Sequence, residues 1–82
     1  MIYIKEKFVN DNLVEILLDG VLDPESITVL KNVCERHLEN NKRVLLNLEG
    51  LLHISRSGRD FLRAIQNKVT IGKPPQLLSL EG

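Results

Sequence analysis

RVLLNLEGLLHISRSGRDFLRA, which runs from Arg43 to Ala64, is the stretch that decides the fold of this chain. It begins with Val44 to Leu48, a short apolar segment that is typical of a buried β-strand. A polar turn with two serines and a glycine follows, and an amphipathic helix comes after the turn. The pattern therefore predicts a strand, a tight turn and a helix in succession, which is the repeating unit of α/β proteins.

The turn between this strand and helix is where we expect the chemistry of the molecule. The first amide N–H groups of a helix have no partner within it, and the helix dipole adds partial positive charge there. A phosphate or a carboxylate is therefore stabilised at such a place. A serine in the turn, such as Ser55 or Ser57, has three open roles: helix cap, anion ligand or phosphorylation acceptor.

Two strands are predicted upstream of this unit. Residues Ile2 to Phe8 alternate apolar and charged side chains, which is typical of a half-buried edge strand. Asn10-Asp11-Asn12 predicts a turn, and a second strand follows from Leu13 to about Leu18, where Asp19-Gly20 ends it. We expect the two strands to pair as an antiparallel hairpin with a charged outer edge.

Two helices are also predicted. Asp23-Pro24-Glu25 begins the first, with a capping carboxylate and a proline at the first helical position, and Asn40-Asn41 ends it. The second helix is predicted from about Gly58 to Lys68. Apolar residues at helical spacing face the core on both: Ile27, Leu30, Cys34 and Leu38, then Phe61, Leu62, Ile65 and Val69.

The remaining sequence predicts how the sheet is completed. Gly72 to Pro75 indicates an extended link, and Gln76 to Leu80 a last strand. Successive β–α–β units imply parallel pairing. The prediction is a single α/β domain over residues 1–82, with a mixed sheet of about four strands and two main helices in the order β-β-α-β-α-β.

Short motifs along the chain resemble the STAS family, the domain shared by anti-sigma factor antagonists and the cytoplasmic tails of sulfate transporters. VLLNLEGL matches a strand of that family, and HISRSG, from His53 to Gly58, lies where the family has an (F/Y)-(I/M/V)-D-S-(S/T)-G turn. VEILLDGVL, from Val14 to Leu22, is similar to the family's I-x-L-x-G-x-L/I strand ending. The resemblance covers about residues 12 to 80 and implies a STAS-like fold.

The chain departs from the family at the turn itself. The family's aspartate falls on Ser55, and the usual phosphoacceptor, the next residue, falls on Arg56. Only Ser57 and Gly58 are retained. Because an arginine cannot accept a phosphoryl group, the resemblance implies a STAS-like domain that has lost the switch at its usual position, with Ser57 or Ser55 as substitutes.

Ser57 has two interpretations. It precedes Asp60 by three positions, which is the spacing of a capping box and favours a capping role. As a phosphorylation acceptor, it would place a phosphate on the helix N-terminus between Arg56 and Arg59, where two negative charges are stabilised. Ser55 has a weaker claim to modification because its hydroxyl is available to turn amides.

Arg56, Arg59 and Arg63 follow one another at intervals of three and four residues, so we expect them to share one helix face. A solvated surface is the ordinary explanation of such a row. The functional alternative is a contact surface for an acidic partner or for phosphates, because guanidinium groups form bidentate contacts with both. STAS relatives use this region for partners, which implies Arg56, Gly58, Arg59 and Arg63 as partner-binding residues.

Composition argues against several classes of function. Eleven basic residues balance eleven acidic ones, which leaves no charge excess for a nucleic-acid binder. No apolar run approaches the roughly 20 residues that span a bilayer, so we expect no membrane insertion. The only cysteine, Cys34, indicates a cytoplasmic location, because no internal disulfide is available.

No catalytic or metal-binding pattern is present in the sequence. Cys34, His37 and His53 lack the paired spacing of a zinc site, and we expect Cys34 in the core and His37 on the surface. No Ser–His–Asp order, glycine-rich phosphate loop or paired-carboxylate motif occurs. We expect no cofactor, no metal and no enzymatic activity.

The resulting hypothesis is a regulatory protein-interaction module that binds its partner through the turn 53–58 and the following helix. By resemblance, the partner is an anti-sigma factor of the serine-kinase type or another STAS-type regulator. The alternative is an accessory or small-ligand STAS subunit, which binds phosphate or a nucleotide or belongs to a lipid-transport complex.

Self-association is the last expectation. The family continues with further elements beyond this length, so we expect part of the sheet to lie uncovered. Zero net charge does not oppose association. We therefore predict a homodimer at micromolar concentrations, by packing of sheet faces or by pairing across an edge strand.

Overall fold

Six elements follow one another along the chain in the order β-β-α-β-α-β, which confirms the predicted fold class. The structure is a computed structural model that describes residues 1–73. Its elements are β1 (Ile2–Asn10), β2 (Leu13–Leu22), α1 (Pro24–Glu39), β3 (Arg43–Ile54), α2 (Arg56–Ile65) and β4 (Thr70–Lys73).

The four strands form one mixed sheet in the order β1-β2-β3-β4. β1 and β2 pair antiparallel, whereas β2, β3 and β4 are parallel to one another. The predicted hairpin is confirmed, and its turn is held by the Asn12 amide, which donates to Asn10 Oδ1 at 2.8 Å. Each parallel pair is joined by a helix, as parallel neighbours require.

The hydrophobic core lies between one face of the sheet and the two helices. Alternate residues of β2 are buried, namely Val14, Ile16, Leu18 and Leu22, because successive side chains of a strand point to opposite faces. β3 adds Val44, Leu46, Leu48, Leu51 and Ile54, and the helices add Leu30, Cys34, Leu62 and Ile65. The predicted inward stripes of both helices thus reach the same core.

The capping of α1 confirms the predicted start of the first helix. Asp23 lies in extended backbone, and its Oδ1 accepts from the Ser26 amide at 3.0 Å. In return, Ser26 Oγ accepts from the Asp23 amide at 3.2 Å, which completes a capping box. Hydrogen bonds from the Ser26 hydroxyl and amide lower the pKa of the Asp23 carboxyl. The boundary is therefore fixed by local contacts alone.

Two strands are longer than predicted. β2 continues past Asp19-Gly20 to Leu22, and β3 continues past Leu48 to Ile54, so the predicted ends of both strands are wrong. Asp19 and Gly50 are paired opposite each other where the register shifts. A Cβ on Gly50 would clash with Asp19 Oδ1, so the glycine leaves room for the neighbouring side chain. The dipeptides Asp19-Gly20 and Glu49-Gly50 therefore lie at irregularities within the strands, where glycine is common.

The fourth strand also differs from the prediction. It lies at Thr70–Lys73 and pairs with residues Leu45 to Asn47 of β3. Gly72 and Lys73, predicted to belong to a link, are part of it, while the strand predicted at 76–80 lies outside the described residues. α2 ends at Ile65 instead of Lys68, so Val69 is buried in the connection between α2 and β4. The β-branched pair Thr70-Ile71 is the signal for this short strand.

Candidate functional site

Ser55 connects the end of β3 to α2 and caps the helix. Its backbone is extended, its amide donates to Leu22 O at 2.8 Å, and its Oγ accepts from the Gly58 amide at 3.0 Å. The prediction that Ser57 caps a helix starting at Gly58 is wrong, because α2 already begins at Arg56. Ser55 satisfies one of the free amides at the helix N-terminus, which is the ordinary function of an N-cap residue.

Ser57 lies in the first turn of α2 and is exposed. Its Oγ is 3.1 Å from Ser55 Oγ, so the two hydroxyls share a hydrogen bond. The Ser57 hydroxyl makes no capping contact, whereas the Ser55 hydroxyl is engaged by the Gly58 amide. Of the two serines that the sequence singles out, Ser57 therefore offers the more accessible hydroxyl.

Gly58 is buried against the ends of two strands. A Cβ at this position would lie 2.9 Å from Leu22 O and 3.1 Å from Ile54 Cγ2. Both distances are shorter than an ordinary van der Waals contact, so the absence of a side chain lets α2 approach the sheet closely. Gly58 therefore sets the position of the helix and of the residues around it.

Arg56, Arg59 and Arg63 are exposed on α2. Because successive helical residues are rotated by about 100°, the three side chains fall within roughly 60° of one another. We call these three residues the arginine row. The core-facing residues of the same helix, Gly58 and Leu62 among them, lie on a different side.

The electrostatics of this end of α2 are positive. No acidic residue lies in the first turn of the helix, where carboxylates usually complement the dipole. Within residues 1–73, the structure places no acidic side chain in an ion pair with the arginine row. The turn and the row together therefore form a surface that favours anionic groups.

His37 is buried, so its predicted surface position is wrong. Its Nε2 contacts Glu6 Oε2 of β1, and the Phe8 ring lies edge-on to the imidazole with ring centroids 5.8 Å apart. Arg36 adds a second contact to the same carboxylate at 3.4 Å. These contacts fasten the edge strand to the end of α1, and the side-chain hydrogen bond with His37 lowers the pKa of Glu6.

Cys34 is fully buried, as predicted, and burial raises the pKa of its thiol to about 11. Cys34 and His37 are buried on α1, whereas His53 is exposed on β3. In the described part of the chain, no group of three or more His, Cys, Asp or Glu side chains is arranged to hold a metal ion.

A groove lies between the two helices, and we call it the interhelical groove. Its volume is about 310 Å³, and it is lined by Ile27, Lys31, Glu35 and Leu38 of α1, by Phe61, Ala64 and Ile65 of α2, and by Lys68. Two of these residues, Ile27 and Leu38, belong to the apolar residues that the sequence places at helical spacing on α1. Whether a groove is open between the helices depends on the distance between the helix axes. Sequence periodicity does not give that distance.

Neither helix within residues 1–73 combines the length and the apolar character that crossing a bilayer requires.

The sequence matches no family model and no curated protein, whereas its structure is similar to solved structures. One is the anti-sigma factor antagonist SpoIIAA in its unphosphorylated form, with 17% identity and a TM-score of 0.73, over 98% of this chain and 81% of that one. Another is an uncharacterised DUF3478-family protein with a SpoIIAA-like fold from Shewanella loihica PV-4, with 18% identity and a TM-score of 0.59. That likeness covers 82% of this chain and 57% of the other. These likenesses show that the chain has the SpoIIAA-like fold, which agrees with the STAS-like fold that the motifs at its strand ends imply.

Proposed function

We propose that this chain is a regulatory protein-interaction module that binds its partner through residues 53–58 and α2. The observation that carries the proposal is the exposed arginine row beside a helix N-terminus without acidic residues in its first turn. The shared fold with an anti-sigma factor antagonist supports it. In this proposal the chain works in the cytoplasm by binding and catalyses no reaction.

The partner we propose is an anti-sigma factor of the serine-kinase type or another STAS-type regulator, which would place this chain in signal transduction and transcription regulation. Its contact surface is expected to be acidic, since guanidinium groups bind carboxylates through paired hydrogen bonds. Arg59 and Arg63 would make those contacts. Gly58 would contribute by placing α2 close to the sheet.

Control of binding is expected to differ from a phosphoserine switch at the usual position, because that position holds Arg56. We propose that binding is constitutive. Ser57 and Ser55 are the remaining acceptors, and Ser57 has the exposed hydroxyl. A phosphate on Ser57 would lie beside the arginine row and would cancel part of its positive charge.

Charge reversal tests the partner surface. The tagged full chain is used to co-purify its partner, which is then identified, produced separately and titrated by calorimetry. Arg59→Glu and Arg63→Glu are expected to weaken binding at least about tenfold, which corresponds to about 1.4 kcal/mol. Arg43→Glu is the matched control, because Arg43 is exposed at the opposite end of β3. Equal losses in all three variants, or none, would contradict the proposed surface.

Phosphorylation is tested with the same partner. The chain is incubated with the partner and ATP, and its intact mass is measured. Constitutive binding predicts no gain of a phosphate. A gain that disappears in Ser57→Ala but not in Ser55→Ala would overturn it and would identify Ser57 as the switch.

The second candidate function is that of an accessory subunit which binds phosphate or a nucleotide. The same positive helix N-terminus favours it, because such a place stabilises phosphate groups. Titration of the labelled chain with inorganic phosphate and with ATP distinguishes the two functions. Amide shifts that saturate at residues 55–59 would favour the ligand role, and unchanged spectra would reject it.

Self-association is the last part of the proposal. The chain carries no net charge, so electrostatic repulsion between copies is weak. We expect a homodimer at micromolar concentrations in sedimentation velocity experiments. A mass near the monomer value of 9.3 kDa at high concentration would reject it.

A further inference from the structure

The interhelical groove has apolar walls and a charged rim. Ile27, Leu38 and Ile65 form apolar walls, and none of the three is fully exposed. Lys31 and Glu35 lie on the rim and are exposed. An apolar groove with charged edges is the usual form of a surface that receives a helix.

On the groove side of α1, the order of apolar and charged residues is the same in both chain directions, and only the signs of the charges are exchanged. From N-terminus to C-terminus it presents an apolar residue, a cation, an anion and an apolar residue: Ile27, Lys31, Glu35 and Leu38. The inner pair is centred at Val33 and the outer pair between Asn32 and Val33, so the midpoints of both pairs lie at nearly the same level along the helix, although Val33 itself is on the opposite side of α1. A two-fold axis at that level exchanges the two members of each pair.

We infer that the occupant of the interhelical groove is a second copy of this chain, whose α1 packs antiparallel to the first across a two-fold axis that crosses the groove side of α1 at the level of Val33. In this arrangement Lys31 faces Glu35 of the partner subunit, and the same contact occurs a second time by symmetry. Ile27 meets the partner's Leu38 in the same way. The inference rests on the self-association proposed above and assigns its surface.

Self-complementarity favours a second copy over an unrelated helix. One patch supplies both the cation and the anion that it needs, so both ion pairs form without any other protein. An isologous interface has this property, because the same residues occur on both of its sides. Along the edge strand β1, by contrast, Lys5 and Lys7 carry the same sign and would face like charges in a symmetric pairing of two edges.

This interface leaves the arginine row free. Phe61 lines the groove, and Arg63 is rotated away from it by roughly 160° around α2, at about 100° per residue. A dimer built on the groove therefore binds the regulatory partner on a separate side of the same helix. Both interactions are compatible in one assembly.

Charge swapping tests the inferred dimer. Sedimentation equilibrium gives the dimer dissociation constant of the full chain and of each variant, and circular dichroism checks that each variant is folded. Lys31→Glu and Glu35→Lys, each alone, are expected to raise the constant at least tenfold, because each places like charges opposite one another. The double variant Lys31→Glu/Glu35→Lys is expected to return within about threefold of the unmodified chain, since it restores both opposite-charge pairs.

Mixing the Lys31→Glu and Glu35→Lys variants is a second test of the same ion pairs. The Lys31→Glu variant has two acids on this side of α1, and the Glu35→Lys variant has two bases, so the two variants are expected to form a heterodimer more tightly than either forms a homodimer. Ala64→Arg, at an exposed position in the groove, is expected to block association without disturbing the core.

Lys5→Glu is the matched control, because it reverses an exposed charge on β1 outside the groove. Association that responds to Lys5→Glu but not to the groove variants would assign the dimer to the sheet and overturn the inference alone. The same holds if Ala64→Arg leaves association unchanged, as it would if another segment or another protein filled the groove. A chain that stays monomeric would overturn both the inference and the proposed self-association, but not the partner surface.

Discussion

Ser55 and Ser57 are two positions apart at the start of α2, yet only Ser55 caps the helix. Ser55→Ala is therefore expected to lower the free energy of unfolding by about 1 kcal/mol, because the Gly58 amide loses its acceptor. Urea denaturation measures the change. Ser57→Ala is the control and is expected to stay within about 0.5 kcal/mol, as surface substitutions usually do. The reverse order of effects would show that Ser57 is the cap.

Gly58 is a second residue at this junction whose substitution is expected to change stability. A Cβ there would lie 2.9 Å from the Leu22 carbonyl oxygen, which belongs to the backbone of β2 and cannot rotate away. Gly58→Ala is expected to lower the free energy of unfolding by about 1–2 kcal/mol, since overpacking outweighs the gain of about 1 kcal/mol in helix propensity.

The control for Gly58→Ala is Asn67→Ala, at an exposed position just beyond the end of α2. Its effect is expected to be small, because Asn67 is exposed and its side chain does not pack against the backbone of a strand. If Gly58→Ala increased stability in urea denaturation, α2 would be free to move away from the sheet, and the close approach at Leu22 would not be required.

The Glu6–His37 contact between β1 and α1 is expected to make the stability of the fold depend on pH. The hydrogen bond with His37 holds the pKa of Glu6 below its ordinary value of 4.5. A carboxyl whose pKa is depressed in the folded state stabilises the fold above its unfolded pKa, and this contribution is lost as the pH falls through the folded pKa. We therefore expect the chain to lose stability below about pH 4.5, with Glu6 as one contributor.

Glu6→Gln measures this contribution, because glutamine keeps the shape of the side chain but does not titrate. Thermal unfolding between pH 3 and pH 7 is expected to show a smaller loss on acidification for Glu6→Gln than for the unmodified chain. Glu39→Gln, which changes an exposed carboxyl at the end of α1, serves as the control. Asp23, whose pKa is also lowered, is intact in both variants. Identical pH profiles would show that the Glu6–His37 contact does not stabilise the fold.

The elements that were predictable from sequence are those fixed by local contacts. Asp23-Pro24 gave the start of α1 because the cap involves residues three positions apart, and Asn10 to Asn12 gave the hairpin turn. The errors involve residues distant in sequence. Asp19-Gly20 lies inside β2 because Gly50 of β3 accommodates it, and His37 is buried because Glu6, 31 positions earlier, lies across from it. No local pattern in a single sequence contains these pairings.

At the candidate site, too, the features fixed by local spacing were predictable and those fixed by distant residues were not. The arginine row was predictable, because helical spacing alone places Arg56, Arg59 and Arg63 on one side. The prediction that Ser57 is the cap is wrong, because β3 runs six residues beyond its predicted end at Leu48 and places Ser55 at the junction with α2. The length of β3 depends on its pairing with β2 and β4, and the spacing of residues in the turn contains no information about that pairing.

The buried thiol of Cys34 reports on global unfolding. Burial raises its pKa to about 11, so about one thiol in a thousand is ionised at pH 8. The fully buried thiol is also shielded from reagents in solution. The folded chain is expected to react with an aromatic disulfide reagent at least a hundredfold more slowly than the unfolded chain. The reaction rate should rise with urea in parallel with the loss of circular dichroism. Rapid reaction without urea would mean that α1 opens locally.

The order of the strands also has a consequence for how the chain reaches its folded state. β1 and β2 are adjacent in sequence and share a tight turn, so their pairing closes only a small loop. The parallel pair of β2 and β3 aligns Leu13 with Arg43 and cannot form until α1 has reversed the chain between them. Closing the longer loop costs more entropy and is slower. The hairpin and α1 are therefore expected to form early, and the arrival of the central strand β3 sets the folding rate.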